Sequence, residues 1–280
     1  GANGAFTWAE MITDINTPRV GYRYNVKQGT YSLSATTTLT GDGTTTSPNI
    51  IRGYKTTIGD ATLSRTTGGI VDTSNMPTIA YASTFGFTAS GSTNLIIESL
   101  IFTGTIANRL VRVGIESIAV NCSVDNASTS ASAVGIEGDA VSTQVVGCDV
   151  ILSAGVASAK AISTAGPVSY CRVKGGGGNG IELTSNTTPI HCNTIYESAI
   201  GIKTLTTGAR AEITGNTIVN CTGDGIDVIT STTAQVRIIN NHITGCGGYG
   251  IDFNTSTCPK ILIANRFRDN TSGNVNGGGD

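Results

Sequence analysis

Charge is what this sequence has least of. Asp, Glu, Lys and Arg make up 13% of its 280 residues, about half of the usual share of roughly 25%. The 17 basic and 19 acidic residues nearly cancel, at a formal net charge of −2, and the basic ones are scattered. No positive stripe is available to track phosphates, so nucleic acid is not an expected partner. Aromatics are scarce too, at 5% with one tryptophan, which leaves few of the stacking platforms common in carbohydrate clefts. No apolar run approaches the eighteen or so residues that span a bilayer, and a soluble chain is expected. None of the seven cysteines falls in a Cys-x-x-Cys pair, which argues against metal-finger and thioredoxin-like sites. No charged-then-apolar leader follows Gly1, as expected of a processed chain.

What is present is glycine, 37 residues of it, with abundant Val, Ile and Thr. Disordered chains combine high net charge with few β-branched residues, so this one should fold. A repeat runs through the second half. Ser99, Cys122, Cys148, Cys171, Asn193, Asn216, Asn241 and Asn265 follow one another at 22 to 26 residues. Two positions after each comes an apolar residue, from Ile101 and Val124 to Ile243 and Phe267. A second column, often preceded by Gly, holds Ile136, Ile162, Ile181, Ile202, Ile226, Ile251 and Val275.

That period suits three short strands and three turns. Leucine-rich repeats would need regular leucines, and helical repeats are longer and richer in helix formers. The remaining solution is an all-β coil whose strands each pair with their equivalent one turn later, about 4.8 Å away. Asn suits a tight turn because it tolerates a left-handed backbone, and stacked Asn side chains can bond along the axis. Cys in the same column, and Cys221 with Cys246 in another, read as packed thiols.

Segments such as Gly215-Asn-Thr-Ile-Val-Asn-Cys-Thr-Gly-Asp-Gly-Ile226 and Asn240-Asn-His-Ile-Thr-Gly-Cys-Gly-Gly-Tyr-Gly-Ile251 resemble repeats of the pectate-lyase-like superfamily. The resemblance covers roughly residues 90–275 and implies a right-handed parallel β-helix. It is specific for fold and not for function, since that superfamily holds lyases, hydrolases, epimerases, phage tailspikes and adhesins. Residues 1–60 are expected to form an N-terminal cap and first coils, and 61–280 the remaining coils of one continuous domain. Apolar residues at helical spacing from Phe6 to Ile15 predict a short capping helix. The end at Gly277 to Asp280 offers no cap, so a continuation or another chain is expected to cover it.

Two outward rows are the candidate sites. The residues after the second column are Glu137, Ser163, Glu182, Lys203, Asp227, Asp252 and Asn276. Asp227 and Asp252, with Asp224 nearby, could serve as a glycosidase acid and base or take calcium. They could equally be a solvated face in which Lys203 bridges Glu182 and Asp227. The row after the ladder column is Asp149, Arg172, Thr194, Thr217, His242 and Arg266. Arg172 with Lys174, or His242 with Arg266, could supply the base and cation of a β-elimination, whereas Asp149 with Arg172 could be a plain cross-strand pair. The glycine run at 175–180 matches GxGxxG, but no helix is expected after it.

Polygalacturonase motifs of Asn-Thr-Asp, Asp-Asp and Gly-His-Gly do not occur, nor does the Arg-x-Pro-x-x-Arg stretch of pectate lyases. The leading expectation is therefore a non-enzymatic extracellular, cell-surface or virion-surface module that contacts a glycan or neighbouring subunits. Assembly into a homotrimer or larger array would fit. The alternative is a polysaccharide lyase or glycoside hydrolase on an acidic polysaccharide. No metal centre and no cofactor are expected, calcium at the carboxylates excepted.

Overall fold

Among the described residues, short β-branched runs separated by glycine, asparagine and serine turns give thirty strands of two to six residues. The computed structural model describes residues 7–17, 20–55, 74, 76–185, 188–205, 211–229, 235–254 and 258–277. Every third strand joins the same sheet, which makes three parallel sheets of ten strands each. Sheet A runs from Arg23–Lys27 to Lys260–Ile263, sheet B from Thr30–Leu33 to Arg266–Arg268, and sheet C from Thr37–Thr38 to Gly273–Asn276. The chain is thus a parallel β-solenoid, as its period predicts.

Inside, like residues stack. In sheet C, Ile136, Ile162, Ile181, Ile202, Ile226 and Ile251 are Cα partners in succession, and each is fully buried. The glycines before four of them have a steric cause. A Cβ on Gly180, Gly201, Gly225 or Gly250 would lie 2.4–2.6 Å from a side-chain carbon of Ile195, Ile218, Ile243 or Phe267. Only glycine lets sheet C approach the sheet B side chains of the next coil so closely.

The ladder column lies at the corner between sheets A and B. Asn193 donates from Nδ2 to Asn216 Oδ1, Asn216 to Asn241 Oδ1, and Asn241 to Asn265 Oδ1, each at 3.0 Å. Each Oδ1 also accepts the preceding coil's backbone N–H, at 2.9–3.0 Å. Higher up, the thiols of Cys122, Cys148 and Cys171 reach the carbonyls of Ile97, Ala119 and Val145, all at 3.6 Å. Among the described residues the cysteines form no disulfide.

Two sequence expectations need correction here. The left-handed residue is the one before the ladder position: Asn121, Tyr170, Cys192 and Asn240 have φ of 50–57°. The stacked Asn is retained for its side-chain bonds, not for its backbone. At the top, Ile101 pairs with Ser123 and Phe102 with Val124. Leu100, not Ser99, therefore occupies the Cys122 level, and Ser99 is the left-handed turn residue, at φ 57°.

The open N-terminal end is closed by a helix, α1 (Trp8–Ile15). Thr7 and Glu10 form a capping box, with Thr7 N–H donating to Glu10 Oε2 at 2.7 Å and Glu10 N–H to Thr7 Oγ1 at 3.2 Å. Trp8, Met11 and Ile15 are buried, and Trp8 Nε1 donates to Thr37 Oγ1 at 3.2 Å. Phe6 lies outside the described residues. The glycine run at 175–180 forms a turn that leads into strand Asn179–Leu183, so no helix N-terminus is there to hold a phosphate.

Candidate functional site

Parallel in-register pairing fixes what stands outside as firmly as what stands inside. On sheet C the Cα partners run Arg112, Glu137, Ser163, Glu182, Lys203, Asp227, Asp252 and Asn276. The sequence-derived row is therefore one continuous line along the axis, at about 4.8 Å per step. Its upper half borders a cleft of about 540 Å³ lined by Asn108, Arg109, Glu137, Asp139, Lys160 and Glu182, among others.

The cleft is built from ion pairs. Arg109 Nε and Glu137 Oε2 are in direct contact. Arg112 Nε lies 3.3 Å from Glu137 Oε1 and 2.7 Å from Asp139 Oδ1. Glu182, only 5% exposed, takes a hydrogen bond from Asn179 Nδ2 at 3.0 Å and lies 3.6 Å from Lys160 Nζ. The expected bridge from Lys203 to Glu182 is thus replaced by Lys160, which reaches across from the neighbouring coil. Three cations face three carboxylates, and the region is close to neutral.

Below the cleft the balance changes. Asp227 is 5% exposed, and its buried Oδ1 has no hydrogen-bond partner. Burial pushes its carboxyl up to about 6; Asp224 and Asp252 add to this, and Lys203 opposes it. Asp224 is raised as well, by burial first, although it accepts the Tyr249 N–H at 2.6 Å. Asp252 Oδ1 accepts from Asn254 N–H at 2.7 Å and from Asn276 Nδ2 at 2.9 Å. The three carboxylates feel one another's charge, yet no group of three His, Cys, Asp or Glu among the described residues is arranged to hold a metal ion.

Sheet B carries the second row, with Asp149, Arg172, Thr194, Thr217, His242 and Arg266 as successive Cα partners. The Arg172 guanidinium lies 4.6 Å from the centre of the Tyr196 ring, and Lys174 Nζ is 2.7 Å from Glu197 Oε2. That carboxylate holds the Lys174 pKa above its ordinary value, the wrong direction for a general base. His242 and Arg266 are both exposed. Arg172 and Lys174 are brought together, but no cleft among those described encloses them.

Sequence reasoning missed Arg109, Arg112, Asp139, Lys160 and Asn179. A signal existed for most of them. Lys160 and Asn179 sit two residues before Ile162 and Ile181, as Asp224 and Tyr249 sit before Ile226 and Ile251. Extending the outer row one coil upward reaches Arg112.

Residues 157–279 match a family model described as right handed beta helix region. No curated protein matches the sequence. Among solved structures, pectate lyase Pel9A superposes with a TM-score of 0.68 at 12% identity, over 98% of this chain and 75% of that one. A PL6 family alginate lyase, AlyGC, gives 0.67 at 11% identity, over 97% of this chain and 40% of that one. ORF18 of Geobacillus virus E2 gives 0.54 at 12% identity, over 92% of this chain and 58% of that one. At such identities the likeness is one of fold. Among the described residues no helix is long and apolar enough to cross a membrane.

Proposed function

We propose that this right-handed parallel β-helix, which has the fold of the pectate-lyase-like superfamily, recognises a glycan along the outer face of sheet C. The observation that carries the reading is the polar cleft at Glu137, Asp139, Lys160 and Glu182, set at one end of a continuous row of charged and polar side chains. Carboxylates, amines and amides fixed by mutual pairing are pre-ordered donors and acceptors for sugar hydroxyls, so little side-chain entropy is lost on binding. Because the charges there balance, a neutral glycan fits better than an acidic one. The solved structures of similar fold include proteins named as a pectate lyase and an alginate lyase, which supports a polysaccharide as the ligand class. The viral protein among them supports an extracellular or virion-surface setting.

Affinity electrophoresis of the protein in gels containing α-1,3-glucan, galactan, galactomannan or xylan tests this. Retardation by at least one polymer is expected, and Lys160→Ala should weaken it about tenfold, the cost of one or two lost polar contacts. Free migration in all four gels would overturn the reading.

A further inference from the structure

Resting on that glycan-binding reading, we infer that Asp227 and Asp252 are a catalytic acid and nucleophile that hydrolyse the bound neutral glycan. Three observations meet at this pair. First, Asp227 and Asp252 are Cα partners on adjacent parallel strands. Side chains so stacked stand about 4.8 Å apart, close to the roughly 5–5.5 Å between the carboxyls of hydrolases that retain anomeric configuration.

Second, the two carboxyls live in different surroundings. The Asp227 residue is 5% exposed, and no donor reaches its buried Oδ1. Burial penalises a negative charge there and only Lys203 favours one, so the carboxyl keeps its proton up to about pH 6. Asp252 accepts two hydrogen bonds on Oδ1, from the Asn254 N–H and Asn276 Nδ2. A buried carboxyl with an orphaned oxygen beside one that accepts two hydrogen bonds gives the unequal surroundings that an acid and a nucleophile need. The groups facing Asp227 are Lys203 on the preceding strand, Asp252 on the following one and Asp224 beside it; burial above all raises its carboxyl to about 6, with Lys203 opposing and the two carboxylates adding.

Third, the pair stands in line with the cleft. Glu182, Lys203 and Asp227 are successive partners, so the cleft floor lies two steps, or about 10 Å, from Asp227. A polymer held in the cleft and running along the axis would cross the carboxyl pair. Tyr249, two residues before Ile251, ties its backbone to this cluster by donating its N–H to Asp224 Oδ1 at 2.6 Å.

In the first step an Asp252 oxygen bonds to the anomeric carbon while the glycosidic C–O bond breaks, and the Asp227 proton passes to the departing oxygen. In the second step water gives a proton to the Asp227 carboxylate and its oxygen bonds to the anomeric carbon. The bond to Asp252 breaks in that same displacement and its electron pair returns to the Asp252 carboxylate. One water is consumed, and both carboxyls return to their starting states.

The test uses the full chain with the same four polysaccharides, following reducing ends and, by proton NMR, the anomer first released. Wild-type protein should release products of retained configuration at pH 5 and lose at least tenfold of its rate by pH 8, as Asp227 ionises. Asp227→Asn and Asp252→Asn should each lower the rate at least a thousandfold while still being retarded in the polymer gel, which reports a folded binding face. Glu197→Gln, in the turn just after the sheet B strand Thr194–Tyr196, should match wild type. Retardation without reducing ends would overturn the catalytic inference and leave the binding reading intact. Absence of both would overturn both. Release of the inverted anomer, or full activity in either Asn variant, would overturn the assignment of this pair.

Discussion

The two halves of sheet C share one backbone, one register and one outward row, yet their electrostatics differ. In the upper half Arg109, Arg112 and Lys160 pair with Glu137, Asp139 and Glu182. In the lower half a nearly buried Asp227 has one oxygen with no donor, and Asp224 and Asp252 raise its pKa further. Stacking like positions every 4.8 Å or so multiplies whatever charge stands in a column. The upper half answers with opposite charges from the next position along the strand. The lower half leaves the conflict in place, and unresolved like charge in a row is where function is to be sought.

Removing the central carboxylate of the upper half should have the largest effect on this contrast. Glu137→Ala leaves Arg109 with no other carboxylate within ion-pair distance among the described residues, and Arg112 with Asp139 alone. The side chains are only partly covered, at 16% exposure for Glu137 and 36% for Arg109. The expected cost is about 2 kcal/mol, below that of a fully buried pair. Urea denaturation would read it as a lower midpoint with an unchanged slope.

In the lower half the opposite sign is expected. A carboxyl whose folded pKa lies above its unfolded one costs stability as pH rises between the two, from about 4 to about 6 for Asp227, and the cost is fully present above that window. Asp227→Asn should therefore stabilise the protein at pH 7.5 by about 1–2 kcal/mol, with solvent at the strand edge screening part of the penalty. The gain should vanish below about pH 4. Equal gains at pH 4 and pH 7.5 would show that Asp227 carries no such charge penalty. A site residue whose removal stabilises the fold is the usual signature of function held at a cost.

A smaller change should come from Lys203. Its charge is the one influence that lowers the Asp227 pKa, so Lys203→Gln should move that pKa upward when followed by carboxyl NMR, with little change in the fold. Smallest of all is the sheet B pair. Glu197→Gln should leave the denaturation midpoint within error, because Lys174 and Glu197 meet at the surface. It should still lower the Lys174 pKa.

Much of this was legible in the residues. The inward isoleucine column and both outward rows follow from counting, because a parallel in-register solenoid keeps each position above its equivalent. The top of the ladder was misaligned by one residue because Leu100 fills the level that Cys122 fills below. A leucine there does not look like a small polar turn residue. Lys203 was expected to bridge its two flanking carboxylates because it stands between them in the row. The shorter reach belonged to Lys160, one step along the strand and a coil away. Likewise Asp227 and Asp252 were visible as a pair, but not as unequal ones.

The sequence by itself determined the solenoid, its period, its core columns and the outward placement of Asp227, Asp252, Arg172 and Lys174. Periodicity is a one-dimensional property, and stacking copies it directly into space. Tertiary structure alone decided which cation meets which carboxylate, which oxygen is sealed from its donors, and that a cleft opens beside Glu137 and not beside Arg172. Those outcomes depend on side-chain reach and burial between coils more than twenty residues apart, where a few ångströms separate a neutral pair from a proton held near pH 6.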